Sequence, residues 1–455
     1  MSIAENIKPA MQQSAKTKDL VLGLGKTGLS VARYLTRNDI DAIYVDTRDE
    51  PPGVEELCTI NPTAEIFLGE ISEKVLKGIS RIIASPGITD SHPFLAAAHS
   101  NGIEVISDIQ LFVAEADAPL VAVTGSNGKS TVTTLLNLMC DSAGKSSLAG
   151  ANLGVPALDL LIKDKPDFYI LELSSFQLKR TQDLPVMVAV LLNISSDHLD
   201  WHTTEQEYRK AKYHIFSGAE SAVFNRGDAD AVAHFPRDIR SLSFGLDEPD
   251  GDGYGLRNDA GDVFLSYGSK SLLSVTDLNV VGIHNQANCL AALAAGHLMN
   301  LDLSSMLAVL SEFSGLPHRM QIVGRYRGVL FINDSKATNV AAAIASISSI
   351  QGRVVLIAGG QGKGGDFDHL AKSTSEYLRA VVLIGEDAPA LESAFNGLIP
   401  IKRASGLAEA VNFAVKLSKT GDTVLLAPAC ASYDQYEGYQ ERGDHFTREV
   451  EALLS

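Results

Sequence analysis

The run Gly125-Ser126-Asn127-Gly128-Lys129-Ser130-Thr131 follows the apolar stretch PLVAV and precedes a stretch that reads as a helix from Lys129 to about Ala143. Glycines let backbone N–H groups turn inward, and a helix N-terminus adds partial positive charge. A lysine and a serine stand where they can reach phosphate oxygens and a divalent cation. The general phosphate-loop pattern wants glycine where Val123 stands, so this loop follows the tighter form G-[ST]-N-G-K-[ST]. Its chemistry is the binding of phosphate, with Lys129 placed to reach the β- and γ-phosphates of a nucleotide. Glu172 ends the apolar run FYILE, and a carboxylate at the end of a buried strand is costly unless it meets a metal or a cation. Beside a phosphate loop it reads as a Mg²⁺ ligand; otherwise it is a strand-end carboxylate in solvent.

Further on, Asp197, His198 and Asp200 cluster in a loop after a strand, and Thr204-x-x-Glu207 reads as a capping box that starts a helix. On that helix Tyr208, Ala211, Lys212 and Ile215 share one stripe. Lys212 is therefore either a lysine that snorkels to water or a desolvated amine. A desolvated amine could capture CO₂ as a carbamate, an oxygen ligand suited to Mg²⁺. Near the start, Gly23, Gly25 and Gly28 spell G-x-G-x-x-G after an apolar run, and Asp46 ends the next one, AIYVD. That pairing reads a nucleotide diphosphate and suggests an NAD(P) dehydrogenase, which would leave Lys129, Glu172 and Lys212 without a role. A nucleotide-binding module without catalysis is a third reading.

Alternating apolar runs and helical stretches must position these residues. DLVLGLG, AIYVD, AEIFLG, RIIASPG and EVISD predict a parallel α/β domain over residues 19–110. PLVAVTG, FYILEL and VMVAVLLNI begin a second over 111–315, with the glycine-rich segment 244–268 expected as hairpins laid on its surface. GVLFIND, RVVLIAGG, AVVLIGE and DTVLLAPA make a third over 316–455, and residues 1–18 read as a loose extension. The fold class is thus α/β in three domains: Rossmann-like, phosphate-loop ATPase-like, and Rossmann-like again. A formal charge of −17 over 455 residues argues against general nucleic-acid binding. Four widely spaced cysteines fit a reducing cytoplasm, and no apolar run reaches membrane-spanning length. A monomer acting on small molecules, with no nucleic-acid or membrane partner, is expected.

The stretches GLGKTGLS, DTR, ASPGI, TGSNGKSTVTTL, ELSSFQL, DHLD, YRKAK, GLPHR, INDSKATN, GGQGKGGDF and APACASYDQY together resemble the Mur ligases, ATP-dependent amino-acid-adding enzymes of peptidoglycan synthesis. INDSKATN and ACASYDQ point to the glutamate-adding branch. The resemblance implies ATP and two Mg²⁺ ions, with UDP-N-acetylmuramoyl-L-alanine and D-glutamate as the other substrates. A related ligase adding another amino acid, such as a folylpolyglutamate-type enzyme, is the runner-up. By resemblance, Gly125 to Thr131 with Asn285, Asn288, Arg319, Asp334 and Lys336 would hold ATP. Gly25, Lys26, Thr27, Asp46, Thr47, Arg48, Ser85, Gly87, Asn152, Ser174, Ser175 and Gln177 would hold the UDP substrate. Thr338, Lys363, Ser432 and Tyr439 would hold D-glutamate, Tyr439 standing where the family has Phe. Ser130, Glu172, His198 and Lys212, the last carbamylated, would hold the metal, and Lys129, His198 and Lys212 would be catalytic.

Overall fold

The computed structural model describes residues 18–195, 201–249, 251–280, 282–362 and 364–454. The chain forms two compact units, Met1–Val275 with Ala287–Leu310, and Thr276–Gln286 with Ser311–Ser455. Among the described residues there are three sheets, two in the first unit and one in the second.

The first sheet runs Glu65–Leu68, Ala42–Asp46, Lys18–Leu22, Ile79–Ala84, Glu104–Ile106, and every pairing is parallel. Its central strands are apolar on both faces because helices cover both. The strand Lys18–Leu22 turns into the helix Lys26–Arg37 through Gly23, whose φ is +100°. A Cβ on Gly28 would lie 1.8 Å from the Gly23 carbonyl oxygen, so this helix can approach its strand only with glycine there.

The nine-stranded sheet has Leu120–Thr124 third from one edge, flanked by Phe168–Glu172 and Val188–Leu191. Strand order reverses at that strand, and the loop that follows it opens at the switch point where α/β sheets bind ligands. The segment expected as surface hairpins does fold back on itself as a hairpin, but it extends this sheet at its edge and does not lie on the sheet's face. Gly253–Asp259 pairs in parallel with Arg240–Phe244, then Asp262–Tyr267 and Lys270–Ser274 add antiparallel strands. Ala260 and Gly261, both at positive φ, make the two-residue turn. The strand Asp262–Tyr267 runs from exposed Asp262 and Val263 at the turn to buried Leu265 and Ser266, so its second half is the part that packs. A continuous apolar core joins the two sheets of this unit, with Phe112 edge-on to Tyr169 at 5.1 Å.

The second unit's sheet runs Gln321–Tyr326, Val329–Asn333, Thr423–Leu426, Val354–Gly359, Leu378–Ile384, Ile401–Arg403. It is parallel except at the first pairing, Gln321–Tyr326 with Val329–Asn333. Among the described residues no helix is long and apolar enough to cross a membrane.

Candidate active site

In the first unit the wholly buried strand Leu120–Thr124 delivers Gly125 to a loop that ends at the helix Lys129–Ser142. Gly128 precedes that helix at φ +87°, and a Cβ on it would meet the Asn288 side-chain oxygen at 2.2 Å. Asn288 therefore lies against the loop as expected. Gly128→Ala should combine a backbone penalty of about 1–2 kcal/mol with displacement of Asn288. The expected outcome is a lower Tm and a weakened nucleotide affinity, read by thermal melting with and without ATP.

Three side chains from outside the loop hold it. Asn193 accepts from the Asn127 N–H at 2.9 Å and donates to the Asn127 carbonyl at 3.0 Å. The hydroxyls of Ser126 and Tyr208 share a hydrogen bond of 2.8 Å. Lys212 Nζ donates to the Gly125 carbonyl at 2.9 Å, and Lys129 Nζ donates to the same oxygen at 2.8 Å and to Ser126 O at 3.0 Å. Two lysine amines thus converge on one carbonyl, a strongly positive locus suited to a polyanion. Tyr208 and Lys212, four apart on the helix Glu205–Tyr213, face the loop together, and Lys212 is only 2 % exposed. It is buried and not snorkelling. The helix is capped by the Thr204 hydroxyl, which accepts from the Glu207 N–H. Glu207, expected to reach back to Thr204, instead accepts from the Thr203 N–H and pairs with Lys179.

Glu172 is 2 % exposed at its strand's end. Asn152 donates to Oε1, whereas Oε2 is buried with no hydrogen-bond partner among the described residues. An orphaned buried carboxylate oxygen is costly and fits a cation ligand. Ser130 is also buried at the helix start. Among the described residues no three or more His, Cys, Asp or Glu side chains lie grouped to hold a metal. His198, with Asp197 and Asp200, lies outside the described residues.

The residues expected around the UDP substrate divide. Gly25, Lys26 and Thr27 open the helix Lys26–Arg37, and no side chain among the described residues caps its N-terminus. Ser85 donates to the Gly23 carbonyl, Gly87 has open space beside it, and Thr47 is exposed. Asp46, in contrast, spends both oxygens on the protein: Leu24 N–H at 2.7 Å, Arg48 N–H at 2.9 Å and the Arg48 guanidinium. Burial pushes its pKa up, but those hydrogen bonds outweigh it and hold the carboxyl below the usual range. Arg48 is thereby oriented while remaining half exposed. Ser174 and Gln177 form a reciprocal capping box, and Ser175 pairs with His202 at 2.9 Å. Gln177 also donates to Asp108, a fully buried carboxyl that burial pushes up to about 6. A raised carboxyl pKa means the folded state holds the proton longer, so this group's stabilisation is lost as pH rises from about 4 through about 6. Asp108→Asn should therefore gain up to about 3 kcal/mol relative to the native chain between those limits, read from urea midpoints against pH.

In the second unit, Asp334 accepts from the Met320 N–H at 3.1 Å and from the Ser346 hydroxyl, and burial raises its pKa. Lys336 Nζ lies 4.0 Å from the Tyr439 ring centroid, and the His318 ring meets Tyr439 edge-on. The Thr338 N–H donates to Lys336 O, Ser432 is buried, and Arg319 is exposed. Asn285 belongs to this unit, and Lys363 lies outside the described residues. His318 and Met320, which flank Arg319, and Ala429, beside Cys430, all take positive φ, as does Ala151 beside Asn152. Strained non-glycine backbone gathers at functional sites. The residue most central here went unnoticed in the sequence. Arg442, 1 % exposed, donates to Ser335 Oγ and O and to the carbonyls of Gly359, Cys430 and Ala431. It ties together the loops that carry Lys336, Thr338 and Ser432. Its only sequence signal is an arginine in the first turns of the final helix.

Family models match along most of the chain: a Mur ligase MurD-like N-terminal domain over residues 17–107, a Mur ligase middle domain over 123–296 and a Mur ligase glutamate ligase domain over 318–430. A UDP-N-acetylmuramoylalanine–D-glutamate ligase of Legionella pneumophila is 44% identical over 441 residues, covering 95% of this chain and 99% of that protein. The enzyme of the same name from Nitrosococcus oceani is 44% identical over 450 residues, 98% of this chain and 99% of its own. Among solved structures, a UDP-N-acetylmuramate–alanine ligase of Thermotoga maritima superposes with a TM-score of 0.59 at 18% identity, over 96% of this chain and 99% of that one. A pseudomurein peptide ligase from Methanothermus fervidus gives 0.57 at 20%, over 95% and 100%. These two likenesses concern the fold.

Proposed function

The chain belongs to the Mur ligase family, and from that premise we propose that it joins D-glutamate to UDP-N-acetylmuramoyl-L-alanine, driven by ATP, in cytoplasmic peptidoglycan precursor synthesis. The observation that carries this is 44% identity, over nearly the full length of both chains, to enzymes of that name. Residues 19–110 take the UDP substrate, 111–315 ATP and 316–455 the amino acid. The opening glycines then serve the UDP diphosphate, and the dehydrogenase reading falls away.

A carboxylate is a poor acyl donor. The alanyl carboxylate attacks the γ-phosphorus of ATP, the bond to ADP breaks, and an acyl phosphate forms. The D-glutamate amine, having lost a proton, attacks the acyl carbon, and phosphate leaves as the amide forms. Lys129 and the N–H groups of residues 128–131, at the start of their helix, hold the phosphates, the Ser126 and Asn127 N–H groups being spent on Asn193. Ser130, Glu172, His198 and Lys212 are the residues that would hold Mg²⁺, and Oε2 of Glu172, without a partner among the described residues, fits that role. When bound, two such ions neutralise charge between the anionic nucleophile and the triphosphate. A carbamate on Lys212 would require its amine to leave the Gly125 carbonyl. Arg319, Asp334, Asn285 and Lys336 serve ATP. Lys336 and Lys363 would pair the carboxylates of a doubly anionic amino acid, in a chain of net negative charge that must concentrate cations locally.

Phosphate release from ATP, measured with UDP-N-acetylmuramoyl-L-alanine and a panel of D- and L-amino acids, tests the reading. Turnover with D-glutamate alone is expected. Turnover only with L-glutamate, or without the muramoyl nucleotide, overturns it.

A further inference from the structure

The helix Ser175–Lys179, which follows Glu172, ends in two cations that reach out of the nine-stranded sheet's side of the unit towards the loop after Ile79–Ala84. Arg180, 5 % exposed, places Nη1 3.2 Å from the Ser85 carbonyl and Nη2 on the Ile88 carbonyl. Its Nε and Nη2 also grip Asp90 Oδ1, at 3.0 and 2.7 Å. Lys179 takes the other Asp90 oxygen at 2.7 Å and pairs with Glu207 on the lysine-bearing helix. Trp201, the one tryptophan of the chain, lies under both cations, 5.3 Å from the Arg180 guanidinium carbon and 5.2 Å from Lys179 Nζ. Its other neighbours are Phe176 and His202.

A guanidinium that spends its donors on two carbonyls and a carboxylate of one short loop, and lies over an indole at cation–π distance, has little freedom left. We propose that Arg180 is a positioning residue for the UDP substrate: it fixes the Ser85–Asp90 loop to the end of the helix that follows Glu172, so that the substrate's binding loop and the chemistry share one rigid frame. This rests on the proposed function, because Ser85 and Gly87 are substrate residues only in that reading. Breaking the clamp leaves the phosphate loop and the amino-acid loops untouched. The cost therefore falls on binding of the UDP substrate and not on that of ATP or D-glutamate.

The test compares the native chain with Arg180→Leu, Arg180→Lys and Asp90→Asn. Arg180→Leu should raise KM for UDP-N-acetylmuramoyl-L-alanine about tenfold, with KM for ATP and D-glutamate within about twofold. Arg180→Lys should recover part of the loss, and Asp90→Asn, which keeps the side chain's shape, should move KM in the same direction as Arg180→Leu. Titration of Trp201 fluorescence with the UDP substrate should shift to higher concentration by the same factor as KM. An unchanged KM in Arg180→Leu, or a rise shared equally by all three substrates, overturns the proposal. Amide exchange without substrates separates this from the function itself: Arg180→Leu should speed exchange at Ile88 and its neighbours while exchange in the strand Leu120–Thr124 stays slow. Unchanged exchange at Ile88 removes the clamp even if the enzyme is active. A native chain that releases no phosphate refutes the function, while the exchange result still decides the clamp.

Discussion

Glu172→Gln is expected to lower ligase turnover by about three orders of magnitude or more while leaving the folded state as stable as before, or more so. The two effects separate because of where the two carboxylate oxygens sit. Oε1 receives the Asn152 amide, and a glutamine carbonyl can keep that bond. Oε2, over which the carboxylate's charge is shared with Oε1, is buried with no partner among the described residues, at a desolvation cost that folding does not recover locally. A neutral amide of the same shape is cheaper to bury. Such a charge is retained for something that binds it, and on the proposed reading that is a cation beside the phosphates. Thermal melting and phosphate release on the same sample give the answer. A variant that is both fully active and equally stable would show that Glu172 holds nothing the reaction needs, and a variant that unfolds would show that the carboxylate is structural.

The second large effect is expected at Arg442. Replacing it by Met should destabilise the second unit by about 3–5 kcal/mol. Four carbonyls and the Ser335 hydroxyl would lose a charged donor within a buried space, and each group left unsatisfied carries its own desolvation cost. Burial already presses on this guanidinium, pushing its pKa down to about 10, so its place depends on that ring of acceptors. Arg442→Lys should fail nearly as badly, because a single ammonium cannot span the loops at Ser335, Gly359 and Cys430–Ala431 as a planar fork does. Urea unfolding reads the stability, and KM for D-glutamate reads the loops. A lysine variant with native stability and native KM would reduce Arg442 to a space-filling residue.

Local pattern explains much of what was legible beforehand. The phosphate loop is contiguous, so its glycines, lysine and serine announce themselves within seven residues, and strand before and helix after follow from hydrophobic spacing. The stripe Tyr208–Lys212 placed Lys212 on the apolar face but left it either snorkelling or desolvated, and only packing decides that it is buried. The segment near 253–274 was harder: short polar strands at a sheet's edge carry little apolar pattern, and only pairing with Arg240–Phe244 reveals them as sheet. At Asp46 the carboxylate's place after its strand was legible. Its capture by Leu24 and Arg48 was not, because one donor is a backbone N–H brought in from 22 residues away.

By itself the chain's sequence determined the three α/β patterns, the nucleotide loops and the residue types at each strand end, because strand, turn and helix signals act over a few neighbouring residues. The tertiary structure alone decided which of those groups share a partner. Asn193 and Lys212 meet the phosphate loop across 66 and 87 residues, Arg180 reaches Asp90 across 90, and Arg442 reaches Ser335 across 107. The physical reason is that a buried polar group is satisfied by whatever donor packing brings to it, and packing is set by sheet order, which no single stretch of chain encodes.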